Sequence, residues 1–186
     1  MRTLEEIGAE HRQCLDVALP ALAEPFRAAV ARCAEALAAG AKLLICGNGG
    51  SAADAQHFVG ELVCRFERDR PGLAALALTT DSTTLTAVAN DDSYEQIFAR
   101  QVSALGRAGD VLLALSTSGC SPNVLAAARE ARAREIGVVA LTGRGGGDLA
   151  ALADVLLAVP HDRTARIQEM HGLCLHALAE RLEADA

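Results

Sequence analysis

The chain has 186 residues, 51% of them apolar and 22% charged, with a formal net charge of −7. That is enough apolar material for one domain with a sizeable core, and the acidic balance excludes nucleic-acid binding through a general basic surface. No apolar run approaches the ~20 residues of a membrane span. The six cysteines form no CxxC pair, and there is no secretory signal pattern, which points to reduced thiols in the cytoplasm.

The spacing predicts one domain over 1–186, with N-terminal helices over 1–40 and an α/β core over 41–186. Residues 3–39 are rich in Ala and Leu and read as two helices broken near Pro20 or Pro25. Their buried face has two candidate partners, the sheet or another subunit. Lys42–Cys46 is a short apolar strand that runs into Gly47-Asn48-Gly49-Gly50-Ser51 and then a helix reaching Phe66. Arg70-Pro71-Gly72 is a turn, and Leu73–Thr79 reads as a second buried strand. Asp81-Ser82 caps a short helix to Ala89, which Asn90-Asp91-Asp92 breaks, and Tyr94–Leu105 reads as another helix. Asp110–Leu115 is the third strand, followed by Ser116-Thr117-Ser118-Gly119-Cys120-Ser121 and a helix over Asn123–Ile136. Val138–Thr142 and Asp154–Val159 are strands four and five, and Arg163–Glu183 is a long last helix. Short apolar strands alternating with helices indicate a three-layer αβα sandwich around a doubly wound, parallel, five-stranded sheet. In the flavodoxin-like order 2-1-3-4-5, the loops after strands one and three meet at the switch point, where ligands bind.

Those two loops, GNGGS and STSGCS, are the most polar and small-residue loops in the chain. In the first, the glycines allow close backbone approach, and Ser51 is placed to cap a helix whose N-terminus suits an anion. Gly47-x-Gly49-x-x-Ala52 matches the dinucleotide fingerprint but lacks the acidic residue expected about 20 positions later. In the second, Ser116, Thr117, Ser118 and Ser121 supply four hydroxyls where a plain cap needs one. A cradle without lysine suits a monophosphate better than a triphosphate awaiting transfer. On the helix after GNGGS, His57 and Glu61 are one turn apart on one face. On the last helix Gln168, His171 and His176 interrupt an apolar pattern. Gln168 and His176 lie about 12 Å apart along the axis, so spacing alone does not make them a metal site.

As a set, several segments resemble the phosphoheptose isomerases, enzymes of the sugar-isomerase (SIS) domain. They are CGNGGSAADAQHFVGEL, RPGLAALALTTD, Ala89-Asn90-Asp91, GDVLLALSTSGCSPNV, ALTGRGGG and RIQEMH with His176 beyond, in order over roughly residues 40–180. The resemblance implies isomerisation of sedoheptulose 7-phosphate to D-glycero-D-manno-heptose 7-phosphate through an enediol. This is the first step of ADP- or GDP-heptose biosynthesis. It also implies a homotetramer with active sites at subunit interfaces, without direct contact to nucleic acid or membrane. By position it places substrate binding on Asn48, Gly49, Gly50, Ser51, Asn90, Asp91, Ser116, Thr117, Ser118, Ser121 and Gln168. Zinc falls on His57, Glu61, Gln168 and His176, and the catalytic pair on Glu61 and His176. The alternative is a non-catalytic tetramer of the same domain that binds the replication initiator. That relative carries other residues where this chain has Glu61 and His176. Two positions depart from the isomerase pattern: Ala165, where some members carry aspartate, and Cys120 within STSGCS.

Overall fold

A computed structural model describes residues 1–184. Its sheet is all-parallel in the order β2-β1-β3-β4-β5, as the alternation of elements predicts. The strands are β1 (Leu43–Gly47), β2 (Ala75–Ala77), β3 (Val111–Ser116), β4 (Gly137–Thr142) and β5 (Val155–Ala158). The helices are α1 (Leu4–Ala38), α2 (Gly50–Val63), α3 (Ser82–Asp91), α4 (Ala99–Leu105), α5 (Pro122–Ala133) and α6 (Thr164–Ala184). Alternate strand residues face opposite layers. Leu43, Ile45, Leu113 and Leu115 pack with α1, α2 and α6, whereas Leu44, Cys46, Leu112 and Ala114 pack with α4 and α5. All six cysteines are free thiols. Among the described residues, no helix is long and apolar enough to cross a membrane.

Several expectations need correction. The N-terminal region is one helix, not two: α1 runs unbroken through Pro20 and Pro25. A proline there deprives the carbonyl four residues earlier of its partner. Those carbonyls belong to Asp16 and Ala21, both exposed, so water replaces the lost bonds. The same helix buries Cys14, Ala18, Leu22, Ala29, Cys33 and Ala36 against the core, so α1 covers the sheet. The second strand spans three residues rather than seven and is only partly buried, because it is an edge strand paired on one side. The segment Tyr94–Leu105 divides into a 3-10 turn at Tyr94–Gln96 and α4.

α6 is tied at both ends. Near its start Arg166, almost fully buried, donates to the carbonyl of Ile7 at 3.0 Å and also pairs with Glu169. Near its end the Glu183 carboxylate accepts from the backbone N–H groups of Phe66, Glu67 and Arg68 at 2.9–3.0 Å. It also pairs with Arg70 at 3.3 Å. Burial works against this charge, but the three N–H groups and Arg70 outweigh it and hold the carboxyl below its usual range. Arg70 in turn donates to the carbonyls of Glu61 and Leu62, two of the last-turn carbonyls of α2 that lack helical partners.

Candidate active site

β1 and β3 are hydrogen-bonded neighbours, with Gly47 opposite Leu115. The loops that follow them therefore open at the same sheet edge, the switch point of this topology. In the loop after β3, Ser116 Oγ lies 3.0 Å from Ser121 Oγ and 3.4 Å from Ser118 Oγ. Ser121 is the N-cap of α5, yet its side chain makes no capping bond, and Pro122 occupies the first helical position. Its hydroxyl is thus turned toward the other serines, while at the start of α5 Pro122 has no N–H and Val124 N–H is taken by Asn123 Oδ1. Thr117 accepts from Gly143 N through its carbonyl at 3.0 Å, tying this loop to the end of β4.

The loop after β1 differs from expectation in one respect. The N-cap is Gly49, at φ 55°, and Ser51 lies buried in the first turn without capping the helix. A positive φ favours glycine, and the result again leaves a helix N-terminus without a side-chain cap. Gly50 matters for a different reason. A Cβ there would stand 1.9 Å from Gln168 Nε2, so glycine leaves Gln168 its present position against the start of α2, and any side chain would move it. Asp54, one turn on, lies close to Gln168, which favours its charged form. Its Oδ2 is buried without a partner among the described residues. Burial raises its pKa, against the pull of His57, Gln168 and His176.

Further along α2, His57 and Glu61 meet His176 of α6. His57 Nε2 is 3.0 Å from Glu61 Oε1 and 3.1 Å from His176 Nε2, and His176 Nε2 is 3.3 Å from the same Oε1. These separations match the ~3.3 Å edge of a tetrahedral zinc site built from bonds of ~2.0–2.1 Å. Two imidazoles and a carboxylate are also a donor set that zinc takes. Glu61 is 13% exposed, while His57 and His176 are 64% and 49% exposed. The second carboxylate oxygen, Oε2, is buried without a partner among the described residues. Phe66 stacks on the His176 ring, with centroids 6.0 Å apart, and Glu183 holds Phe66 in place through its backbone. α6 thus runs alongside α2 in the same direction: Gln168 meets its start, His176 its middle and Glu183 the segment beyond its end.

The three-residue cluster unites His57, Glu61 and His176; Gln168 stands nearer the phosphate loops, against Gly50 and Asp54. Asn90 and Asp91 are exposed at the end of α3 and hydrogen-bond each other at 2.8 Å. Three residues later Tyr94 reaches the site and donates to Asn48 Oδ1 at 3.1 Å. Sequence reasoning missed Asp54, although Asp54, His57 and Glu61 share one helix face by their spacing. It also missed Asn123 and Tyr94, which carry no local signal. His171 is fully buried: its Nε2–H donates to the carbonyl of Thr142 at 3.1 Å, and burial lowers its pKa to about 4.

A family model described as the SIS domain matches residues 8–143. The phosphoheptose isomerase of Paramagnetospirillum magneticum is 57% identical over 185 residues, covering 98% of this chain and 95% of the relative. That of Bordetella avium is 59% identical over 169 residues, covering 89% and 86%. Among solved structures, the phosphoheptose isomerase of Neisseria gonorrhoeae superposes with a TM-score of 0.92 at 48% identity, covering 98% of this chain and all of the other. A phosphoheptose isomerase from Francisella tularensis gives 0.94 at 42% identity, covering 99% and 100%. With the SIS-domain match, identities of 57–59% to these relatives and the same fold at a TM-score of 0.92–0.94, the chain belongs to the phosphoheptose isomerase family of SIS-domain enzymes.

Proposed function

We propose that the protein interconverts sedoheptulose 7-phosphate and D-glycero-D-manno-heptose 7-phosphate. The observation that carries this reading is the convergence of Glu61 and His176 from two helices beside the paired loops. Ser116, Thr117, Ser118 and Ser121, with the uncapped N-terminus of α2, hold the phosphate and fix the reacting end of the sugar. Asn48, Gly49, Gly50, Ser51, Asn90, Asp91 and Gln168 complete the substrate contacts.

The reaction moves one carbon-bound and one oxygen-bound proton. The Glu61 carboxylate takes the proton from C1 and returns it to C2. His176 supplies the proton that O2 gains and accepts the one that O1 loses. Each proton transfer is worth about 10² to 10⁴ in rate. Zinc held by His57, Glu61 Oε1 and His176, with Gln168 as the further ligand the resemblance implies, would polarise the sugar carbonyl. One Nε2 lone pair cannot bind zinc and move a proton at once, so metal removal separates the two uses of His176.

A homotetramer in the cytoplasm belongs to the same reading. Val17 and Leu19 of α1, Val63 of α2 and Leu173 of α6 are large exposed apolar residues, and the His57 and His176 side chains are exposed as well. Light scattering after size exclusion tests the assembly. The function itself is tested with sedoheptulose 7-phosphate and purified protein, chelated and then resupplied with zinc, following product by NMR. Aldoheptose 7-phosphate is the expected product. No turnover in either condition, from a folded tetramer, would overturn the reading.

A further inference from the structure

Asn48 and Asn123 form a reciprocal amide pair between the two phosphate-facing loops. Asn48 Nδ2 donates to Asn123 Oδ1 at 2.8 Å, and Asn123 Nδ2 donates to Asn48 Oδ1 at 2.8 Å. The orientation of the pair is set from the backbone. Val124 N–H donates to the Asn123 side chain at 3.0 Å. A backbone N–H only donates, so the Asn123 atom that receives it is the oxygen. Its Nδ2 then faces Asn48, which fixes the Asn48 atom opposite as oxygen too. The Tyr94 hydroxyl donates to that same Asn48 oxygen at 3.1 Å. An amide oxygen has two lone pairs, and here both are filled. The Asn48 Nδ2 has two N–H bonds. One goes to Asn123, and the other has no partner among the described residues.

We propose that Asn123 is a positioning residue that locks the Asn48 amide so that Asn48 meets the substrate only as a hydrogen-bond donor. Asn123 is 1% exposed and does not touch the substrate itself. It sits in the first turn of α5, two residues after Ser121, and so couples the GNGGS loop to the serine cradle. A donor at Asn48 selects acceptor oxygens, those of a phosphate or of a sugar carbonyl or hydroxyl, and gives nothing to a group that can only donate. This specificity rests on the sugar-phosphate reading above.

The test is Asn123→Asp. The carboxylate is isosteric, keeps the Val124 N–H as a partner and sits at a helix N-terminus that favours negative charge. It lacks the N–H that Asn48 Oδ1 accepts, so two oxygens face each other and the Asn48 lock is lost. The expected result is a KM for sedoheptulose 7-phosphate raised about tenfold, with kcat changed by less than about threefold. In an Asn48→Ala background the same substitution is expected to change KM less than about twofold, as it must when one residue acts through the other. An Asn123→Asp protein with wild-type KM, or a penalty that persists without Asn48, overturns the proposal. Tyr94→Phe removes only the second donor, at a residue 61% exposed, and decides the matter if Asn123→Asp does not fold. A KM raised about two- to fivefold supports the lock, and an unchanged KM overturns it. Wild-type protein measured in parallel keeps the questions apart: no turnover there overturns the functional reading, whereas an active wild type with unshifted variants overturns this inference alone.

Discussion

In the proposed mechanism Glu61 serves both as metal ligand and as base. Oε1 faces His57 and His176 within 3.3 Å, and Oε2 is buried without a partner among the described residues. Glu61→Gln preserves shape and leaves an oxygen to face the histidines but removes the basic atom. We expect kcat to fall by about 10² to 10⁴ or more, with the thermal midpoint and sugar-phosphate binding retained. A fully active variant, assayed on chelated and zinc-supplied enzyme, would sink the assignment. At this scale the sequence was informative where spacing is local. His57 and Glu61 are four residues apart, and a helix places such a pair on one face. His176 is 115 residues beyond Glu61, and no local period brings it there; only the parallel packing of α6 on α2 does. Asn123 carried no local signal, because its partner Asn48 lies in the other loop, 75 residues earlier.

Elements were legible in kind and less so in extent. All five strands follow from apolar runs alternating with helical periodicity, whereas their order was taken from the flavodoxin-like arrangement, which the structure has. β2 shrank because an edge strand, paired on one side, needs fewer residues in register. α1 was misread at its prolines, since proline is a helix breaker only where the freed carbonyl has nowhere to turn. Pro20 is exposed, as is Asp16 four residues earlier. The helix therefore tolerates it, yet proline remains about 3 kcal/mol less favourable than alanine in a helix interior. Proline also restricts the unfolded chain, by about 0.4–1 kcal/mol. Pro20→Ala should thus stabilise the protein by about 2 kcal/mol and raise the melting midpoint by about 4–8 °C. Differential scanning calorimetry checks this, and an unchanged or lower midpoint would show that Pro20 relieves something the helix geometry does not reveal.

The whole molecule has a buried acid sensor that the reaction does not use. His171 has a pKa lowered from 6.5 to about 4 because it is buried. Between those values the unfolded chain binds a proton that the folded one refuses, so stability rises with pH and is lost as pH falls from about 6.5 toward 4. From pH 7 to pH 5 the loss is about 2 kcal/mol. Urea titrations of metal-free protein should show it, and His171→Gln should flatten that part of the profile. A slope unchanged by the substitution would place the acid sensitivity elsewhere. The pairing of α2 with α6 also has a consequence in time. His57 and His176 are separated by 119 residues of chain, which a ribosome adds in about 6 to 24 s. Through that interval the nascent polypeptide holds a histidine and a glutamate but no complete ligand set. On the proposed reading, metal would be captured only by the finished polypeptide, and a translation product cut short before α6 is expected to be inert rather than partly active.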